Sequence, residues 1–360
     1  MRERKSVFIF FLCIICTVAF SREYNLEDKL SQMFILGFKG DSVQEFSDFV
    51  SENNWGGYIF YSQNTNILDE QQARDFLQTI SGYQRDIRIK PFLAIDMEGG
   101  TMQLAKNNKT KEFVFFETPR QIAGTDYKTR KNWARDIASY TSKLGFNLNL
   151  APVVDVDKAP FRNSRSFGND PDKVIENSKI FLDEHNEYRV LCTLKHFPGR
   201  GSGRQRDIDK FYERNSDLRS FQSLVNHRNV GVVMVSTMTY PSIDPDKPAY
   251  KSLLVYELLR SLGFQRIALT DDASKLDLTE DELQTEIIEI INAGADMILL
   301  ANRDRNYDSQ LSNKLRQALK NIINQKQITE ARIEESFVRI LETKQEHGIE
   351  PKEIYLNYEI

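Results

Sequence analysis

The chain has 360 residues, 40% of them apolar and 28% charged, with a formal net charge of −4. That length can bury one barrel-sized core or two smaller ones, and the composition is that of an ordinary globular protein. The acidic balance and the lack of any long basic run argue against a nucleic-acid partner.

Residues 1–21 read as a separate unit. Arg2, Arg4 and Lys5 precede an apolar stretch from Val7 to Phe20, and Ala19-Phe20-Ser21 resembles a small-x-small cleavage site. About 14 apolar residues fall short of the roughly 20 that cross a bilayer. A cleaved signal peptide is therefore expected rather than an anchor, with export to the periplasm or the medium and no stable transmembrane span after processing. The large residues Leu12 and Ile15 before Cys13 and Cys16 argue against lipidation at either. The segment carries three basic residues and one acidic, so its removal takes the net charge from −4 to −6. Cys192 then remains alone inside an apolar run, where a buried thiol is expected and no disulfide framework can form.

From residue 22 to 348 one grammar repeats: a short apolar run, a polar end, then a longer stretch with helical spacing. The runs are Met33–Gly37, Gly57–Tyr61, Phe92–Ile95, Phe146–Val154, Val190–Leu194, Val230–Val235, Arg266–Thr270 and Asp296–Leu300. They lack strict alternation, as parallel strands covered by helices do. Eight of them predict an α/β fold of the TIM-like (β/α)8 barrel type.

The intervening helices are expected over Asp69–Gly82, from Asp170-Pro171 to Glu184, over Pro248–Leu262 with Leu253, Leu254, Leu258 and Leu259 as the apolar set, and over Thr329–Glu346 with Thr329 as cap. Gly263 and Gly348 are placed to end the last two. An open doubly wound sheet is the competitor, but no G-x-G-x-x-G follows the first strand. Residues 349–360 are a polar tail.

Polar residues gather where the apolar runs end, which is where a barrel builds its site. Asp96-Met97-Glu98-Gly99-Gly100 follows the third run. Asp155 and Asp157 follow the fourth, with Arg165-Ser166-Phe167-Gly168 beyond. Lys195-His196-Phe197-Pro198-Gly199 follows the fifth and Asp271-Asp272 the seventh. Any one of these can be a helix cap. Their recurrence at one end of successive strands favours a polyhydroxylated ligand, whose hydroxyls aspartates and a lysine hold through charge-assisted hydrogen bonds. The charge of Lys195 disfavours an imidazolium at His196, so hydroxyl binding suits that residue better than acid work. No His or Cys cluster has metal-ligand spacing, and neither a metal nor a cofactor is expected.

These segments, with Gln32-Met33, Gly37-Phe38 and Leu148-Asn149-Leu150-Ala151-Pro152-Val153-Val154-Asp155-Val156, resemble glycoside hydrolase family 3 over about Leu30 to Lys344, in particular its single-domain β-N-acetylhexosaminidases of the NagZ type. The resemblance implies a TIM-like barrel that hydrolyses β-glycosides with retention through a covalent glycosyl intermediate. By the same resemblance Asp271 is the nucleophile, and Asp96, Arg165, Lys195 and His196 bind the sugar. The partner is then a carbohydrate or a peptidoglycan-derived sugar. The oligomeric state is not read from the sequence.

The match breaks where a retaining hydrolase needs its general acid. In that branch a histidine serves, on the loop after Lys-His-Phe-Pro-Gly, oriented by an aspartate two residues earlier. Here the loop from Arg200 to Asp209 has no histidine: Asp207 aligns with the aspartate, and Asp209 (Ile208 in a register shifted by one) takes the histidine's place. Multidomain relatives instead use a glutamate from a further C-terminal domain, for which no room is expected after the barrel. Three outcomes stay open. Asp209 and Asp207 can act together as acid/base, since coupled carboxylates raise one pKa. The substrate can carry a leaving group needing no acid. Or hydrolysis is impaired and the protein is a carbohydrate-binding or scaffolding module. Leu104 and Thr237 stand near positions where the family usually has Arg and commonly His, and Arg200 replaces a frequent histidine. Arg200, Arg204 and Arg206 either favour an anionic sugar or merely solvate an exposed loop.

Overall fold

A computed structural model describes residues 24–40, 42–52, 54–61, 64, 89–102, 116–157, 165–200, 216–274, 278–303 and 307–349. The segment 1–21, the helix expected over Asp69–Gly82, and the tail beyond residue 349 lie outside the described residues.

Eight strands form one parallel sheet: β1 (Phe34–Gly37), β2 (Gly57–Phe60), β3 (Phe92–Ile95), β4 (Leu148–Asn149), β5 (Leu191–Phe197), β6 (Val230–Val235), β9 (Ile267–Thr270) and β10 (Ile298–Leu300). Between β6 and β9 the short strands β7 (Thr239–Tyr240) and β8 (Asp244–Pro248) pair only with each other. The order in the large sheet is β10-β1-β2-β3-β4-β5-β6-β9. A parallel bridge between Leu269 and Met297, with Thr270 N–H donating to the Met297 carbonyl at 3.1 Å, joins the two ends. The chain is thus an α/β barrel, and the open sheet is ruled out by this order. Each of the eight is buried along its whole length, which is why the runs read as continuously apolar rather than alternating.

Two strands depart from their expected lengths. β4 pairs over two residues only, because its register with β5 then slips: Leu191 N–H donates to the Asn147 carbonyl, but Thr193 N–H donates to that of Ala151; contact resumes at Val153, and Val154 N–H donates to the Lys195 carbonyl at 2.9 Å. β5 runs three residues beyond the apolar run and carries Lys195 and His196 within it. In its register Lys195 pairs with Met234 and Phe197 with Val235, so His196 is a bulged residue. A bulge cancels the alternation that would send neighbours to opposite faces.

Outside the sheet lie α1 (Leu26–Ser31), α2 (Val43–Glu52), α3 (Pro119–Ile122), α4 (Tyr127–Lys143), α5 (Pro171–Glu187), α6 (Ser216–Leu224), α7 (Leu253–Ser261), α8 (Glu280–Ala293), α9 (Leu311–Gln325) and α10 (Glu330–Glu346). Caps follow local chemistry. Asp170 accepts from Asp172 N–H with Pro171 in the first turn of α5, and Thr329 accepts from Arg332 N–H at the start of α10. α10 buries Ile333, Phe337, Ile340 and Leu341, each worth about 1.5–3 kcal/mol.

The packing face of α7 differs from the expected one. Leu253 and Leu254 are 53% and 49% exposed, and the face turned inward is Val255, Tyr256 and Leu259. Helix formation begins later than expected because β8 folds back antiparallel on β7 and is followed by a short 3-10 turn. Leu253 and Leu254 stand in the first turn of α7 and face outward. Among the described residues no helix is long and apolar enough to cross a membrane.

Candidate active site

The carboxyl ends of the strands carry the polar residues, and the chain brings them together there. After β3 the turn Met97-Glu98-Gly99-Gly100 reverses through two glycines at φ +86° and +65°. A Cβ on Gly99 would lie 2.6 Å from the Glu117 carbonyl, so only glycine fits. This tight turn presents both Asp96 and Glu98 to β5. Lys195 Nζ stands 2.6 Å from Asp96 Oδ1 and 2.5 Å from Glu98 Oε1, and Arg165 holds Glu98 with Nε and Nη2, both at 2.8 Å.

Glu98 is almost wholly buried. Burial pushes its carboxyl up, but Lys195 and Arg165 outweigh that and hold it at about 2. The sequence assigns Glu98 no role of its own. A signal was present, since it stands two residues after Asp96 and before a glycine pair, but the strand that supplies its lysine partner is a hundred residues away.

A second cluster forms around Asp155. His196 Nδ1 is 2.8 Å from Asp155 Oδ2, and the backbone N–H groups of His196 and Arg200 donate to Asp155 Oδ1 at 3.2 and 3.0 Å. Burial raises Asp155 to about 6 against the lowering effect of Arg200 and these N–H groups. Burial, then Arg200, drives His196 well toward its neutral form; Lys195, the like charge expected to do this, contributes less than either. Neutral His196 donates Nδ1–H to Asp155 and keeps Nε2 as an acceptor.

Asp271 follows β9 and accepts Asp272 N–H at 2.9 Å. Burial opposes its ionisation, but positive charge from the His196, Arg200 and Lys195 side holds its carboxyl below the usual range. With His196 neutral, Arg200, then the Asp272 N–H, then Lys195 act in that direction. Asp272 acts differently, because its Oδ1 accepts N–H from Ser274 and from Ala301 and so ties the ends of β9 and β10 together. Arg200 is no surface solvator. Its side chain is 21% exposed and places Nη1 3.5 Å from Asp271 Oδ2.

Asp96, Arg165, Lys195 and His196 therefore converge, and Asp271 joins them through Arg200. Asp207 and Asp209, with Arg204 and Arg206, lie outside the described residues. Tyr61, at the end of β2, belongs to the same mouth and was not singled out by sequence: burial and then Asp96 raise its pKa well above the ordinary value, and the Arg303 guanidinium lies 4.2 Å from its ring centre. Among the described residues no group of three or more His, Cys, Asp or Glu could hold a metal ion. A cavity of about 660 Å³ lies outside the barrel against Gln121, Trp133 and Tyr140 and shares no residue with this mouth.

Comparison with known proteins follows the same lines. The profile of the glycosyl hydrolase family 3 N-terminal domain matches residues 25–343. The chain is 29% identical over 324 residues to Beta-hexosaminidase A of Pseudoalteromonas piscicida, covering 79% of this chain and 53% of that protein, so it spans about half of that relative's length. It is 28% identical over 262 residues to the Beta-hexosaminidase of Idiomarina loihiensis, covering 68% and 76%. Of solved structures, a glycoside hydrolase family 3 β-N-acetylglucosaminidase from Paenibacillus sp. str. FPU-7 superposes with a TM-score of 0.73 at 26% identity, covering 91% of this chain and 63% of that one. A glycosyl hydrolase from Mycobacterium smegmatis, at 24% identity and a TM-score of 0.72 over 89% and 97% of the two chains, shares the fold. The chain belongs to glycosyl hydrolase family 3, through the barrel of that family's N-terminal domain.

Proposed function

We propose that the chain is an exported β-N-acetylhexosaminidase of the NagZ type, cleaving terminal β-linked N-acetyl-hexosaminides with retention and with Asp271 as nucleophile. The relatives named as β-hexosaminidases support the substrate class. The single observation that carries the mechanism is the Asp271 carboxylate at the barrel mouth, with the Arg200 guanidinium 3.5 Å from its Oδ2 and the Asp272 N–H 2.9 Å from its Oδ1, beside the Lys195–His196 cluster. An ionised carboxylate there attacks the anomeric carbon, the glycosidic C–O bond breaks, and water later displaces the carboxylate. Asp96, Arg165, Lys195 and His196 line the sugar subsite, with Glu98 and Asp155 holding the last three in place.

The acid/base loop is atypical in this reading. Asp209, together with Asp207, protonates the leaving oxygen and then deprotonates water. Residues 1–21 are removed on export, 22–348 are the barrel domain and 349–360 a tail. A peptidoglycan-derived hexosaminide suits an exported enzyme of this kind.

The test is intact-protein mass during turnover of an activated fluoro-sugar, where an adduct mapping to Asp271 is expected. No adduct together with no turnover overturns the reading. One observation favours a second: the Arg200 guanidinium 3.5 Å from Asp271 neutralises part of the charge a nucleophile needs. A hydrolytically impaired carbohydrate-binding module would show no turnover in the parent, and a sugar affinity that Asp271→Asn leaves unchanged.

A further inference from the structure

Three cations of this mouth differ in how they are paired. Arg165 makes two bonds of 2.8 Å to Glu98, and Lys195 makes contacts of 2.6 and 2.5 Å to Asp96 and Glu98. Arg200 does neither. Its backbone N–H is fixed to Asp155 at 3.0 Å, yet its guanidinium reaches Asp271 only at 3.5 Å, and its Nε stands 4.0 Å from Asp155. A charge-assisted N–H···O bond is normally about 2.7–2.9 Å. Of five N–H donors, one reaches an acceptor among the described residues. This guanidinium is therefore anchored by its backbone and has room to shorten its contact with Asp271.

We infer that Arg200 is a positioning residue that stabilises Asp271 as the leaving group when the glycosyl–enzyme ester is hydrolysed; the inference rests on Asp271 being the nucleophile. In the first step the Asp271 carboxylate forms a bond to the anomeric carbon and the aglycone leaves with the glycosidic electron pair, so negative charge on Asp271 is consumed. In the second step a water oxygen bonds the anomeric carbon and the ester C–O bond breaks. Its electron pair returns to Asp271, and a proton of the water passes to a base or to solvent. A donor aimed at Asp271 opposes the first step and assists the second, because it stabilises charge where charge develops.

The experiment uses a nitrophenyl hexosaminide, whose leaving group needs no acid and so removes the loop carboxylates from the first step. In R200L the glycosyl adduct forms at the parent's rate or faster, while its hydrolysis slows about tenfold, the loss expected for one long charge-assisted bond. The adduct therefore accumulates in intact-mass spectra, and KM and kcat fall together while kcat/KM holds. R200K recovers part of the hydrolysis rate. A parent that neither forms an adduct with the activated fluoro-sugar nor turns over the nitrophenyl hexosaminide overturns the nucleophile assignment beneath the inference. A parent that forms one, with R200L hydrolysing it at the parent's rate or with both variants losing the two steps together, overturns the inference alone.

Discussion

Two carboxylates, fully buried Asp296 below the barrel and partly exposed Asp271 above it, are both held ionised by nearby positive charge but in different ways. Asp296 precedes β10 at the amino end and is fully buried. Arg260 Nη2 stands 2.5 Å from its Oδ2, Arg339 Nη1 3.0 Å and Arg332 Nη2 3.7 Å from its Oδ1, and Ser336 and the Ala268 N–H donate to it as well. Burial opposes its charge, and the three arginines outweigh that. The two oxygens are saturated from α7, α10 and β9, so this carboxylate ties outer helices to the barrel. Among the described residues Asp271 has one backbone donor and one long guanidinium contact, and its side chain is 23% exposed. A saturated carboxylate stabilises a fold, whereas a reacting one must keep capacity for a partner that arrives later.

The largest difference is expected in activity. Asp271→Asn should lower kcat by at least about 10³-fold with little change in melting temperature, since a neutral amide cannot form the ester; steady-state kinetics beside thermal unfolding would show it. Asp296→Ala should do the reverse. Leaving three arginines without their carboxylate costs about 3 kcal/mol in denaturant unfolding, and the folded fraction should keep its activity per molecule. If Asp296→Ala abolished catalysis without destabilising the chain, the division between the two ends of the barrel would fail.

Glu98 lies between these extremes, at the mouth yet saturated. Its carboxyl is lowered from 4.5 to about 2, so its contribution is present above the unfolded value and is lost as pH falls through 4.5 toward 2. The shift corresponds to about 3 kcal/mol, and Glu98→Gln should remove that part of the acid dependence of stability. Asp155, raised from 3.8 to about 6, has the opposite sign: its contribution is full below 3.8 and declines as pH rises through about 6. In catalysis its protonation below about 6 weakens the acceptor that orients His196. The acid limb of kcat/KM should fall near that pH, and Asp155→Asn should abolish the limb while lowering the plateau. The smallest effect belongs to the outward face of α7. Leu254→Ser should change stability by less than about 0.5 kcal/mol, whereas Leu259→Ala should cost about 2–5 kcal/mol.

Much of the barrel was legible because parallel strands buried on both faces leave continuous apolar runs, and all eight runs became strands. The β7–β8 hairpin was not, since Asp244-Pro245-Asp246-Lys247-Pro248 carries no alternation and pairs over very few residues. Leu253 and Leu254 misled because periodicity marks an apolar stripe without its phase against the sheet. At the site, Asp96, Lys195 and His196 were visible as polar ends of apolar runs. Glu98 and Asp155 were visible only as letters, since a positioning role depends on which strand stands next door.

The amino-acid sequence by itself determined the strand count, the end of the barrel where polar residues collect, and the family motifs, because these depend on local burial pattern and contiguous residues. Tertiary structure alone decided that Glu98 bridges Lys195 and Arg165, that Asp155 fixes the tautomer of His196, and that Arg200 turns inward onto Asp271. Each of those relations joins strands tens of residues apart across a closed sheet, and Coulomb energy depends on distance in space, for which sequence separation is no guide.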